Sequence, residues 1–244
     1  MIFDASARCT GPLFAISTGR CRAAWLAGTC RDAPGRARRR IESASSAATH
    51  VQSVNVHHGL EAPSAWVRRW AALAPATGTA LDVASGAGRH ARLLAAKGLD
   101  VTAVDRDEAA LATLSGAPRI TTRVADLEGS AWPFPAASFD VVVVTNYLHR
   151  PLWPSLAAAL RPNGLLIYET FMLGNERYGR PSNPDFLLRP GELLDAFLPT
   201  LAVLGFEQGA VAAPRRAVIQ RLAALRGDPR TAALPEAHEP GSVG

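Results

Sequence analysis

The sequence predicts an α/β protein with a doubly wound, seven-stranded and mostly parallel sheet that has an antiparallel hairpin at one edge. Short β-rich runs alternate along the chain with helix-length segments rich in Ala and Leu, which is the pattern of β-α-β units. The last two β-rich runs follow each other without a helix between them. They predict an antiparallel hairpin, because parallel neighbours need a long crossover connection.

The individual elements follow from the apolar runs and from the segments between them. The predicted strands are 79–84, 100–105, 120–125, 139–145 and 164–170, and the two hairpin strands are 201–208 and 217–225. The predicted helices are 64–74, 89–97, 107–114, 152–160 and 190–198. The last of these helices follows the letters RPGE, which put a proline at a helix start.

Charge and composition divide the chain into an Arg-rich leader (1–60), one domain (61–226) and a tail (227–244). Both ends are expected to be disordered. A chain of 244 residues, of which 48% are hydrophobic, is long enough to bury a sizeable core. The leader has eight Arg against three acids, which accounts for the whole formal charge of +5. The rest of the chain is therefore neutral, and the basic charge expected of a nucleic-acid-binding domain is absent from it.

The cysteines and the apolar runs give expectations for the compartment. Cys9, Cys21 and Cys30 all lie in the leader and have neither the spacing of a zinc site nor the even number of a disulfide framework. No run approaches the roughly 20 apolar residues of a membrane span. We therefore expect a cytoplasmic protein without a metal. The leader also resembles an organelle transit peptide in composition, or a translated stretch upstream of the true start, and these alternatives stay open.

A long segment without regular periodicity, residues 171–191, follows the fifth predicted strand. It reads FMLGNERYGRPSNPDFLLRPG and contains three glycines, three prolines and two asparagines. Connections of this length in a compact domain are usually functional or disordered. Its position at the carboxyl end of a strand predicts a lid over a pocket.

The letters LDVASGAGRHA form a glycine loop between a predicted strand and a predicted helix. GAGRHA by itself matches the dinucleotide pattern G-x-G-x-x-G/A, and Asp105 lies 19 residues after Gly86, where such proteins have a ribose-binding acid. Asp82 argues against a dinucleotide, because a carboxylate at this strand end would repel the pyrophosphate. It would instead stabilise a ligand with a cationic centre and an ammonium group, and S-adenosylmethionine has both.

Five ordered blocks between residues 61 and 226 resemble the motifs of class I S-adenosylmethionine-dependent methyltransferases. The blocks are LDVASGAG, VTAVDRD, VADLEG, WPFPAASFDVVVVTNYLH and LRPNGLLIYE, in the order found in that family. The resemblance implies the class I methyltransferase fold, a methyl-transfer activity and S-adenosylmethionine as the cofactor.

The same resemblance implies which residues bind the cofactor. They are Asp82, Gly86 and Gly88 for the methionine part, Asp105 for the ribose hydroxyls, Asp126 and the backbone N–H of Leu127 for adenine, and Asn146 after the fourth strand. Each acid has a structural alternative, which is helix capping for Asp82 and Asp105 and the start of a turn for Asp126. Capping is disfavoured for Asp82, because it lies four residues before the first glycine.

The resemblance places the acceptor site after the fourth and fifth strands, where open α/β sheets bind ligands. His149, as a base, and Tyr147, as a wall of the transfer pocket, are the candidate catalytic residues. Arg150, Glu169 and Tyr178 are the candidate substrate-binding residues. The alternatives are a packing role for His149 and simple solvation for Arg150.

The acceptor is expected to be a small molecule, and the protein a monomer or homodimer that binds neither nucleic acid nor membrane. The fourth block reads TNYLHR and lacks the Asn/Asp-Pro-Pro-aromatic sequence with which related enzymes hold exocyclic or amide nitrogens. Two other functions stay open. One is an NAD(P)-dependent oxidoreductase, favoured by GAGRHA and by Arg106 beside Asp105, and the other is a non-catalytic S-adenosylmethionine-binding partner subunit. His90, behind the glycine loop, is expected to be structural.

Overall fold

The computed structural model of the chain describes residues 62–235, which form one sheet with helices on both faces. The strands are β1 (Gly78–Val83), β2 (Leu99–Asp105), β3 (Ile120–Val124), β4 (Phe139–Thr145), β5 (Leu160–Phe171), β6 (Ala202–Val211) and β7 (Ala217–Leu225). Their order is β3-β2-β1-β4-β5-β7-β6. The first five are parallel, and β7 is antiparallel to both of its neighbours. The predicted fold class and edge hairpin are confirmed.

The helices lie where the sequence predicts them and are somewhat shorter. They are α1 (Ala65–Trp70), α2 (Arg89–Ala96), α3 (Glu108–Ala112), α4 (Trp153–Ala159) and α5 (Glu192–Phe197). Ser64 caps α1 by accepting the N–H groups of Trp66 and Val67, and Asp107 caps α3 by accepting that of Ala110. Such side-chain acceptors satisfy N–H groups that have no partner within the helix.

The sheet separates two hydrophobic cores. Trp66, Trp70 and Leu94 pack on the face covered by α1 and α2, whereas Leu156 and Phe197 pack on the face covered by α4 and α5. The four consecutive valines of β4 alternate between the two cores. An unbroken apolar run of this kind is typical of a parallel strand that is buried on both faces.

Two boundaries differ from the sequence predictions. β5 begins at Leu160, directly after α4, and its pairing with β4 shifts register between Phe139 and Val141. The predicted tail is structured in part, since residues 229–231 form a 3-10 turn that contacts β6. The predicted leader lies outside the described residues. Among residues 62–235, no helix has the length and apolar character needed to cross a membrane.

Candidate active site

The glycine loop lies at the carboxyl edge of the sheet, between the end of β1 and the start of α2. β1 is flanked by β2 on one side and by β4 on the other, so the strand order reverses at this point. Open α/β sheets bind ligands in the crevice at such a switch point. The geometry therefore places the loop where the sequence predicts a cofactor site.

The two glycines of the loop serve different purposes. Both have positive φ, +52° for Gly86 and +72° for Gly88. A Cβ atom on Gly86 would meet nothing within 4 Å, so the space beside it is open to a ligand. A Cβ atom on Gly88 would overlap the side chain of Leu114, so this glycine is required for packing at the start of α2.

Asp82 is buried at the end of β1, with 1% of its surface exposed. Its Oδ2 accepts the N–H of Ala91 in the first turn of α2 at 2.9 Å, so the capping role disfavoured from the sequence does occur. Its Oδ1 is also buried and has no hydrogen-bond partner, and the same holds for Oγ of Ser85. Burial raises the pKa of Asp82 to about 7, against the lowering effects of the Ala91 N–H and Arg89.

Asp105 joins the end of β2 to the glycine loop. Its Oδ2 accepts the N–H of Gly86 at 2.8 Å, and its Oδ1 accepts the N–H of Asp107 at 2.9 Å. The cap of α3 is Asp107, so Asp105 is not the capping residue of that helix. The two bonds hold the carboxylate at the open side of the loop, and each oxygen keeps a further acceptor position.

Asp126 lies just after β3 on an exposed turn. Its Oδ1 accepts the N–H of Glu128 at 3.0 Å, which is the turn-forming role considered as its alternative. The N–H groups of Glu128 and Gly129, together with weaker effects of Arg106 and His149, hold the pKa of this carboxyl below its usual value. Leu127 beside it is buried.

The loop after β4 holds Asn146, Tyr147 and His149. Asn146 is exposed, has a φ of +54°, and donates its backbone N–H to the carbonyl of Glu169. The Tyr147 hydroxyl is buried and makes no hydrogen bond of normal geometry within residues 62–235. Burial, and after it the Glu128 carboxylate, raises the pKa of Tyr147, so its phenol stays protonated at neutral pH. His149 is half-buried and directly precedes a 3-10 turn.

The Arg150 guanidinium, predicted to bind a substrate, is bound to groups of the protein itself. It forms a bidentate pair with Glu192, with Nε to Oε1 at 2.7 Å and Nη2 to Oε2 at 3.0 Å. It also donates to the carbonyls of Asp185 and Leu187. Arg150 therefore ties the loop after β4 to the segment before α5, and it is not the solvated side chain considered as its alternative.

Of the other two predicted substrate residues, Glu169 is paired within the protein and Tyr178 is exposed. Glu169 is paired with Arg221 on the neighbouring strand β7, with 2.6 Å between Oε2 and Nε, although the N–H does not point along a hydrogen-bond direction. Its carboxylate is therefore occupied within the sheet. Tyr178 is 46% exposed and stays a candidate for contact with a substrate.

The segment predicted as a lid, 171–191, is anchored on both sides. Met172 and Leu188 form a bridge, and the buried Asn175 accepts the N–H of Val218. Gln220 on β7, fully buried, donates to the carbonyl of Arg189 and accepts the N–H of Leu193. The segment is therefore a fixed wall of the carboxyl edge.

Several residues position this site through contacts that the sequence does not reveal. Tyr168 of β5 donates its hydroxyl to the carbonyl of Tyr147 at 3.0 Å and so fixes the loop after β4. The buried His90 accepts the N–H of Ser64 through Nε2, and its Nδ1 lies 3.2 Å from Oγ1 of Thr145. Burial lowers the pKa of His90 to about 3, so it is neutral and joins α1, α2 and β4. These partners are 21 to 55 positions apart in the chain, so the sequence predicted a structural role for His90 without indicating what it contacts.

Comparison with known proteins agrees with this geometry. A family model described as a methyltransferase domain matches residues 80–164, from β1 to the middle of β5. Residues 80–164 are therefore similar to a methyltransferase domain. The resemblance to class I S-adenosylmethionine-dependent methyltransferases is thereby confirmed, and the match gives no support to the dinucleotide alternative. No curated protein matches the chain.

Solved structures similar to the methyltransferase domain share its fold at low sequence identity. An S-adenosylmethionine-dependent methyltransferase from Mesorhizobium loti is 20% identical, with a TM-score of 0.53 over 64% of this chain and 95% of its own. One from Methanosarcina mazei is 16% identical, with a TM-score of 0.51 over 64% and 95%. A Haloferax volcanii protein solved with a methyltransferase activator is 14% identical, with a TM-score of 0.54 over 67% and 89%. At these identities the likeness establishes the fold.

The solved proteins from Mesorhizobium loti and Methanosarcina mazei are described as S-adenosylmethionine-dependent, and the residues present in this chain fit S-adenosylmethionine. The loop offers an unpartnered buried carboxylate oxygen on Asp82, open space beside Gly86 and a second carboxylate on Asp105. Carboxylates suit a sulfonium, an ammonium and ribose hydroxyls. Within residues 62–235 no group of three or more His, Cys, Asp or Glu is placed to bind a metal ion.

Proposed function

We propose that this protein transfers a methyl group from S-adenosylmethionine to a small-molecule acceptor by in-line displacement. The observation that carries the proposal is the buried Asp82 carboxylate, which has one oxygen without a partner beside the open glycine loop. An unpaired buried carboxylate is costly, and a ligand with an ammonium and a sulfonium supplies the missing charge. S-adenosylmethionine provides an activated methyl group, so the protein has to orient the two reactants and exclude water.

In this proposal the cofactor residues act as fixed acceptors. Asp82 and the loop at Gly86 face the methionine part. Asp105 accepts the ribose hydroxyls with the positions that its two backbone bonds leave free. Asp126 and the backbone N–H of Leu127 bind the adenine edge. The support for these roles is that all of them lie along the carboxyl edge of β1, β2 and β3.

The loop after β4 forms the wall at which the acceptor meets the methyl group. Tyr147 is protonated and its hydroxyl is buried, so it serves as a wall or a hydrogen-bond donor and not as a base. His149 is the group of this loop that is left to accept a proton, which an oxygen or sulfur acceptor releases during attack. Asn146, exposed at the strand end, borders the cofactor side. A cytoplasmic location and a monomeric or homodimeric state stay predictions.

Calorimetric titration of the full chain with S-adenosylhomocysteine tests this function, with NADH and NADPH as controls. We expect micromolar binding of S-adenosylhomocysteine alone. Asp105→Asn should weaken it about 5- to 150-fold, which corresponds to the roughly 1–3 kcal/mol of unpaired ligand hydroxyls. Asp100→Asn is the matched control, because it lies on the same strand at the opposite edge, where it pairs with Arg119. Binding of the dinucleotides alone would replace this proposal with a redox function.

A further inference from the structure

Four arginines lie together at the carboxyl edge of the sheet, and none of them belongs to the site described above. Arg177 is in the turn after β5, and Arg180 follows three residues later. Arg215 and Arg216 directly precede β7. Because β7 runs antiparallel to β5, its start lies beside the end of β5, and the two pairs of arginines lie on adjacent segments. We call Arg177, Arg180, Arg215 and Arg216 the arginine cluster.

Contacts between the two segments fix this arrangement. Met172 donates its backbone N–H to the carbonyl of Val218, and the buried Asn175 accepts the N–H of Val218 at 3.2 Å. The side-chain nitrogen Nδ2 of Asn175 donates to the carbonyl of Pro181, the residue after Arg180, at 3.0 Å. Arg215 lies over the ring of Phe171, with 5.5 Å between its Cζ and the ring centroid. The cluster is therefore built on an anchored frame.

Within residues 62–235, no acidic side chain is paired with the arginine cluster. All four side chains are on exposed residues, and across residues 62–235 none of them has an ion pair or a side-chain hydrogen bond. The two segments that hold the arginines are residues 172–181 and 212–216. Their one acid is Glu176, whose carboxylate accepts the N–H of Gly174. By contrast, the nearby Arg150 and Arg221 are each paired with a glutamate. The unpaired guanidinium groups are free to bind an anion.

The cluster lies on the acceptor side of the site and is bordered by apolar surface. In the sheet order, β5 and then β7 follow β4, so β7 is about 10 Å from β4 at normal strand spacing. Leu173 and Tyr178, both in the turn after β5, are 40% and 46% exposed. Arginine binds carboxylate and phosphate groups through paired N–H donors, and the exposed side chains suit an apolar body.

From this arrangement we infer that the methyl acceptor is an organic anion, with an apolar body and a carboxylate or phosphate group that the arginine cluster binds. This inference rests on the proposed function, because it assigns the cluster to the acceptor of the same site. Four arginines at one corner, in a chain whose charges cancel from residue 61 onward, favour a small anion over nucleic acid, which needs a longer basic surface.

The test is the binding of small probes to the full chain saturated with S-adenosylhomocysteine, measured by calorimetry at low salt. The probes are benzoate, phenyl phosphate and the uncharged benzyl alcohol. We expect at least one of the two anions to bind at least five-fold more tightly than the alcohol, and the stronger of them identifies the group as carboxylate or phosphate. Arg215→Gln/Arg216→Gln should abolish this preference, since it removes half of the cluster.

Arg68→Gln/Lys97→Gln is the matched control, because it removes the same charge from exposed positions of α1 and the end of α2. The control variant should keep the preference. Equal binding of all three probes to the wild type, or an equal loss in the control, would overturn the inference. The inference would also be overturned if a single-stranded oligonucleotide bound more tightly than both anions and this binding were lost in Arg215→Gln/Arg216→Gln. Absence of S-adenosylhomocysteine binding in the same samples would instead count against the proposed function.

Discussion

Asp82→Asn should make the protein more stable relative to the wild type as the pH rises, and it should weaken binding of the cofactor. Asp82 is 1% exposed, and its pKa is raised from 3.8 to about 7 by burial. The folded protein therefore holds a proton that the unfolded chain releases above pH 4. Stability is lost as the pH rises from about 4 through 7, because ionising the buried carboxyl is opposed by the folded structure. Asparagine does not titrate, so the variant does not lose this stability.

The magnitude follows from the size of the shift. At about 1.4 kcal/mol per pKa unit, a shift from 3.8 to about 7 corresponds to about 4 kcal/mol once the group is fully ionised. Most of this difference develops between pH 4.5 and pH 8. We expect the stability of Asp82→Asn relative to the wild type to increase by about 3 kcal/mol over that interval. In a domain of this size, that is about 6–12 °C in the melting temperature.

The assay is thermal and urea unfolding of the ligand-free full chain at a series of pH values, for wild type and variant side by side. The bond from Ala91 is kept, because the asparagine amide oxygen accepts it as well. The same variant should bind S-adenosylhomocysteine at least ten-fold more weakly at pH 8, since a neutral amide does not pair with the ligand ammonium. If the free energy of unfolding changed with pH in the same way for both proteins, the burial argument would be refuted. If the variant bound S-adenosylhomocysteine as tightly as the wild type, Asp82 would not belong to the cofactor site.

Two further substitutions, each with a control substitution, test the frame of the site. Glu192→Gln should destabilise the protein by about 2 kcal/mol, because the 4%-exposed carboxylate pairs with Arg150. This loss should fade at acid pH, because the lowered pKa of Glu192 adds stability only at pH values above the usual glutamate range. Arg189→Gln, which removes a 72%-exposed partner, should cost under about 1 kcal/mol in the same urea titration. Ala84→Gly should raise the melting temperature by about 2–4 °C, because it relieves a φ of +52°. Ala80→Gly, in the buried part of β1, should lower it.

The elements of this fold are recoverable from the sequence because their causes are local. The four valines of β4 and the alternation of strand and helix depend on near neighbours in the chain. The same holds for the glycine loop, where Gly86 and Gly88 mark a turn that few other residues adopt. Asp105 was recognisable because its distance from the loop is set by one helix and one strand.

Side-chain partners were not recoverable, because packing brings them together across long stretches of chain. Arg150 was expected to meet a substrate or solvent, but the structure pairs it with Glu192, 42 positions away. Glu169 faces Arg221 only because β5 and β7 are antiparallel neighbours in this register. Asp82 combines a helix bond with an unpartnered oxygen, which the letters of the loop do not distinguish.

By itself, then, the sequence determined the fold class, the order of the elements and the chemical character of the glycine loop, because these depend on hydrophobic period and on backbone conformation. Only the tertiary structure decided which charges are neutralised and which are free. Arg150 is bound within the protein, whereas Arg177 and Arg215 have no acidic partner among the residues that the structure describes. Charge pairing is set by distances of a few ångströms between groups that the chain separates, and these distances exist only after the sheet has formed.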